Sequence, residues 1–177
     1  VGVWNRELTV NALGLLDGLD NGGTEQLRRM RLVAVVDGKD VPLAAAGKPE
    51  VVRRVDNAIT FAGEGGGAGL KLSTRTTVEF DGFTLSDLTI APADADAGAK
   101  VDKLFLEVVL PEAEATHFCT TAGGWAAVHD KTPAYWSSRQ TASGLLIGDV
   151  VPYVWLTNSD RAFLWFADND KGWITDD

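Results

Sequence analysis

One cysteine, Cys119, stands in 177 residues, so no disulfide can form within the chain, and that count leaves the redox compartment open. Histidine occurs twice, as His117 and His129, and methionine once, as Met30. Positive charge is short as well: 16 Lys and Arg stand against 25 Asp and Glu, for a formal net charge of -9. A uniformly acidic chain repels a phosphate backbone, which excludes nucleic acid and an anionic membrane surface as expected partners. No apolar run approaches the roughly 18 to 20 residues that a bilayer-spanning helix needs. No charged-then-apolar leader precedes Val1, so a signal peptide is read as absent or already removed.

What is present is an ordinary globular composition, 45% apolar and 23% charged, at a length that suits one domain spanning residues 1–177. Strand signals dominate. Val3 to Val10 is a first extended run, and Met30 to Val36 is short and rich in β-branched residues. Asp37-Gly38 follows at once, with Val41-Pro42-Leu43 beyond it, which predicts a hairpin with a glycine-containing loop. Leu70, Leu72, Thr74, Thr76, Val78 and Phe80 alternate with Lys71, Ser73, Arg75, Thr77 and Glu79, the period of a strand with one wet face. Asp81-Gly82 breaks the phase, and Phe83, Leu85, Leu88 and Ile90 resume it shifted. Leu104 to Leu110 alternates again, and Val150 to Leu156 with Ala162 to Ala167 makes the most aromatic hairpin. Such a series, about eight to ten strands, predicts an all-β fold, an antiparallel two-sheet β-sandwich with at most short helical turns.

The helical turns are expected at Thr24 to Arg28 and at Pro111 to Ala115. Five glycines within Gly63 to Gly69 read as a flexible loop tip, since the strand-then-helix context of a phosphate loop is missing. Ala91 to Lys100, rich in Ala and Asp, reads as a solvated connection.

The long irregular segment, about Pro111 to Ser143, carries His117, Cys119, Trp125, His129, Tyr135 and Trp136. A loop of that length in a compact domain is usually functional or ordered by a neighbour. Its aromatic rings, Trp125, Tyr135 and Trp136, are the candidate carbohydrate-binding residues, because the C–H face of a pyranose stacks on such rings. The competing reading packs them over the open end of the sandwich. His117 and Cys119, two apart, share one side of an extended chain, but a metal site needs further ligands, so none is assigned. Asp168 and Asp170 could approach the carboxyl spacing of a glycosidase, about 5 to 10 Å. A turn with Asp and Asn bonding nearby amides explains the same cluster, and no catalytic residue or cofactor is assigned.

Several segments resemble the N-terminal domain of glycoside hydrolase family 123-like proteins. They are Met30 to Val33, Glu79-Phe80-Asp81-Gly82-Phe83, Val101 to Glu107, and the C-terminal series Val151 to Leu156, Asp160-Arg161, Leu164 to Ala167 and Asp170-Lys171-Gly172-Trp173. The chain differs from the usual family pattern in Asp168-Asn169-Asp170 and in Ala162 after Arg161. The resemblance implies a β-sandwich that precedes a (β/α)₈ barrel and a secreted or periplasmic location. In that family the barrel removes β-linked N-acetylgalactosamine with the help of the substrate's own acetamido group. An Asp-Glu pair on the barrel does that chemistry, so no catalytic role carries over to any residue of this chain.

Three expectations follow. In the first, the chain is a non-catalytic accessory sandwich cut from a larger protein, with Asp170, Lys171 and Trp173 facing the catalytic barrel of the same parent. In the second, it is a carbohydrate-binding module whose partners are glycans held on Trp125, Tyr135 and Trp136. In the third, it is a small enzyme acting through Asp168 and Asp170.

Overall fold

In the computed structural model, which describes residues 1–120, 124–127 and 153–168, the chain divides into two compact units, Val1–Val109 and Leu110–Asp177. The first unit opens with β1 (Gly2–Val3), β2 (Arg6–Val10), β3 (Leu16–Asn21) and β4 (Glu25–Leu27), which pair in that order as an antiparallel sheet. The run Val3–Val10 is therefore not one strand. Trp4 takes φ 50° and turns the chain between β1 and β2. The turn of helix expected over Thr24 to Arg28 is instead β4. Leu27 pairs with Leu19 and is buried with Gln26, and the hydrogen bonds to β3 override a locally helical composition.

β5 (Arg29–Val36) and β6 (Lys39–Pro42) form the predicted hairpin across Asp37 and Gly38, both at positive φ. β7 (Ala44–Ala45), β8 (Glu50–Val55), β9 (Ala58–Gly67), β10 (Leu70–Glu79) and β11 (Thr84–Pro92) build a five-stranded sheet in the order β11-β10-β9-β7, with β8 also on β9. β12 (Lys103–Val109) returns to pair with β5. Along β10 the predicted alternation is met by burial: Leu70, Leu72, Thr74, Thr76 and Val78 are buried between exposed Lys71, Ser73 and Arg75. Leu70 and Leu72 join Leu32 and Ala34 of β5, and Leu13, Leu15 and Leu43 of the connections, in one core cluster. This is the face-to-face packing of a sandwich. The expected all-β antiparallel architecture is present, with the ladders of the described residues grouped into four sheets.

The glycine run is a finding of another kind. Gly63 to Gly67 is not a loop tip but the end of β9, paired residue by residue with β10, and only Ala68-Gly69 makes the turn. A Cβ on Gly63 would collide with the Leu13 carbonyl, and one on Gly65 with the Ala44 carbonyl. The glycines let two other backbone segments lie directly on this strand. The Leu13 segment is fixed from both ends. Asn11 Oδ1 accepts the amides of Leu13 and Leu15 at 3.0 Å each, Asn11 Nδ2 donates to the Met30 carbonyl at 3.1 Å, and buried Thr74 Oγ1 donates to the Leu13 carbonyl.

In the second unit a 3-10 turn, Glu112–Glu114, occupies the Pro111 to Ala115 stretch, as its composition predicts. β13 (His117–Thr120), β14 (Gly124–Ala127), β15 (Tyr153–Thr157) and β16 (Ala162–Phe166) follow, in the sheet order β14-β13-β15-β16. Part of the segment read as irregular is thus paired strand. The aromatic hairpin β15–β16 is in register as Tyr153 with Phe166 and Trp155 with Leu164. Among the described residues no helix is long and apolar enough to cross a membrane.

Candidate functional site

The candidate site lies where two hairpin tips of the first unit meet. The β1–β2 turn carries Trp4 and Asn5, and the β10–β11 turn carries Phe80 to Phe83. Gly82, at φ 88°, closes the second turn, and its amide donates to the Glu79 carbonyl at 3.0 Å. The glycine also leaves room for the first turn, because a Cβ there would stand 3.0 Å from Arg6 Nη1 and 3.7 Å from Val3 Cγ2. Arg6 Nη1 donates to the Asp81 carbonyl at 2.6 Å and ties the two tips together.

The rings gathered at this corner are exposed. Trp4 is 80% exposed, Phe80 52% and Phe83 40%. Trp4 meets Phe80 edge to face, centroids 6.3 Å apart and planes at 77°, a favoured aromatic geometry. A bulky side chain at φ 50° is strained for an L-residue, and here the strained residue holds the most exposed large ring among the described residues. Asp81 borders the rings, its Oδ1 accepting the Phe83 amide at 2.9 Å. Ring faces with a guanidinium and a carboxylate at their rim can stack on an apolar surface and hydrogen-bond the polar groups around it. Sequence reasoning missed this corner because Trp4 was read inside a strand and Phe80 as the last step of an alternation. The available signal was an aromatic immediately before Asp81-Gly82, where a strand gives way to a turn.

The residues singled out from sequence fall elsewhere. Trp125 lies on β14, opposite Cys119 of β13. Tyr135, Trp136, Asp170, Lys171, Trp173 and His129 lie outside the described residues. His117 is exposed at the start of β13, its Nδ1 3.0 Å from Thr116 Oγ1. Asp168 is exposed just past β16. Among the described residues no three His, Cys, Asp or Glu side chains gather as a metal site.

Each unit also holds a charge cluster among its described residues. Across β5 and β12, Arg31 Nε donates to Glu107 Oε2 at 2.6 Å and Arg29 Nη2 adds a bond to the same oxygen at 3.1 Å. The hydrogen bond from Arg31 outweighs partial burial and holds the Glu107 carboxyl below its usual value, with the charges of both arginines adding to the effect. In the second unit Arg161 grips Glu114 through Nε at 3.1 Å and Nη2 at 3.3 Å. That hydrogen bond raises the Arg161 guanidinium further above an already high value. Both clusters fasten strands or turns to one another.

No protein-family model, no curated protein and no solved structure matches this chain.

Proposed function

We propose that this chain is a non-catalytic accessory β-sandwich of a glycan-processing protein, acting by docking onto a catalytic barrel of the same parent. The parent's substrates on this reading are β-linked N-acetylhexosamine glycans. The observation that carries the reading is the exposed aromatic corner of Trp4, Phe80 and Phe83. Large rings clustered on a surface mark interaction sites. The corner is built from Glu79-Phe80-Asp81-Gly82-Phe83, one of the segments that carries the family resemblance. Two others, Met30 to Val33 and Val101 to Glu107, meet as the β5–β12 pair.

The same corner favours a second reading, a carbohydrate-binding module, because pyranose rings stack on exposed Trp and Phe. One experiment separates the two: calorimetric titration of the chain with N-acetylgalactosamine-terminated oligosaccharides, with Trp fluorescence followed in parallel. The accessory reading expects neither saturable heat nor spectral change up to millimolar sugar. Saturable binding that Trp4→Ala abolishes would replace it with the module. Hydrolysis of a chromogenic β-N-acetylhexosaminide, lost in Asp170→Asn, would overturn both.

A further inference from the structure

We propose that the free edge of β11 is a self-association surface, at which β11 of one copy pairs antiparallel with β11 of a second around Leu88. Among the described residues β11 is the last strand on its side of the five-stranded sheet, and its nine residues are matched along their whole length by β10. The bonds at the two ends of that ladder, Glu79 N to Phe83 O and Ala93 N to Gly69 O, both join odd-numbered residues. Hydrogen-bonded pairs alternate along an antiparallel ladder, so Leu85, Asp87, Thr89 and Ala91 bond inward to β10. The backbone groups of Thr84, Ser86, Leu88 and Ile90 therefore point away from the sheet. Pro92 shares that outer side, where its missing N–H costs the β10 ladder nothing.

An edge of this kind accepts one chemistry, an added strand. The usual guards are thin here: Asp87 is the strand's one ionisable residue, while Leu85, Leu88 and Ile90 are all exposed. Charge and length then select the register of a symmetric pair. A two-fold axis at Asp87 would set the two carboxylates face to face. An axis at Leu88, the middle residue of the strand, sets Asp87 beside Thr89 and Ser86 beside Ile90. It also overlaps the two strands from Thr84 to Pro92. Leu88 then meets Leu88, and the apolar side chains of both strands on the core-facing side of the sheet are drawn together. Each chain carries a charge of -9, so added salt strengthens the association by screening the repulsion.

The test is sedimentation velocity of the full chain from micromolar to near-millimolar concentration, with mild oxidation of single-cysteine variants made in a Cys119→Ser background. Leu88→Cys forms a covalent dimer readily, whereas Leu85→Cys, opposite Ala91 in this register, does so at least about tenfold more slowly. Ile90→Pro removes one outward N–H without touching a bond to β10, so its far-UV circular dichroism stays that of the parent chain and it sediments as a monomer. A parent chain that stays monomeric at every concentration and salt level overturns the proposal, as does equal cross-linking by Leu88→Cys and Leu85→Cys. Self-association that survives Ile90→Pro in a folded protein overturns it too, because the contact then uses another surface. These variants leave Trp4, Phe80 and Phe83 in place, so the outcome is independent of the sugar titration.

Discussion

Arg31 and Glu107 face each other across the β5–β12 pair and share two hydrogen bonds, Nε to Oε2 at 2.6 Å and Nη2 to Oε1 at 3.1 Å. They sit far apart in sequence, so the forked contact fixes the register of the strand that returns last to this sheet. Glu107 has its pKa lowered from the usual 4.5, first by the Arg31 hydrogen bond. A carboxyl whose folded value is depressed contributes stability above the unfolded value and loses it as pH falls through the folded one. The unfolding midpoint of the wild-type chain should therefore fall as pH drops below about 4.5. Glu107→Gln removes part of that slope. Near pH 7 it lowers Tm by only about one to three degrees, because the pair is partly open to water. Thermal unfolding of both proteins from pH 3 to pH 7 checks this; equal slopes would show that the pair contributes nothing.

Gly63→Ala and Gly65→Ala should each destabilise the first unit by about 1–3 kcal/mol, because the added Cβ meets backbone rather than a movable side chain. Gly47→Ala is the control, since nothing stands within 4 Å of its Cβ position. Urea titration gives the difference directly. A tolerant Gly63 would mean that the Leu13 segment does not rest on β9.

Asp37→Asn should raise stability by a few tenths of a kcal/mol. Asp37 at φ 49° and Gly38 at φ 71° form the two-residue connection of β5 to β6, and a turn with positive φ at both positions favours Asn-Gly. Gly38→Ala should cost about 1 kcal/mol, its φ being one that L-residues resist. A denaturation midpoint that moves the other way for either variant would place the turn in a different class.

These variants also mark how far the sequence could be read. Alternation, β-branched or aromatic runs and turn dipeptides were legible, and β5, β6, β10, β11, β12, β15 and β16 each carry one or more of these signals. β9 was not: Gly63 to Gly67 has no side-chain pattern, and its strand character comes from the β10 backbone on one side and Ala44 to Ala45 on the other. β8 was missed because Glu50 to Val55 is exposed throughout, so no burial period was imposed on it. β4 was hidden by residues that suit a helix until β3 supplies hydrogen bonds. The aromatic corner was hidden for a related reason. Trp4 and Phe80 are far apart in sequence, and their turns meet through the Arg6 bond to Asp81 and the contact of the two rings.

The second unit offers the sharpest test of a buried charge. Glu114 is 5% exposed, and Arg161 forks onto its carboxylate while the Asn158 side chain donates to the Ala113 carbonyl at 3.0 Å. The 3-10 turn is thus fastened to the β15–β16 turn by one charged and one neutral link. Arg161→Met leaves a carboxylate with little water and without its guanidinium, so it should lower Tm by several degrees, about three times the effect of Arg28→Met. Arg28 and Glu25 form an exposed pair three residues apart, and solvent replaces what either loses. The double variant Glu114→Met with Arg161→Met removes both the charge and its partner, and should recover most of the loss, since two apolar side chains can fill the same space. Calorimetric scans of the two single variants and the double variant complete the cycle. Additive losses would mean that Glu114 and Arg161 are held independently, and that the turn is fastened by Asn158 alone.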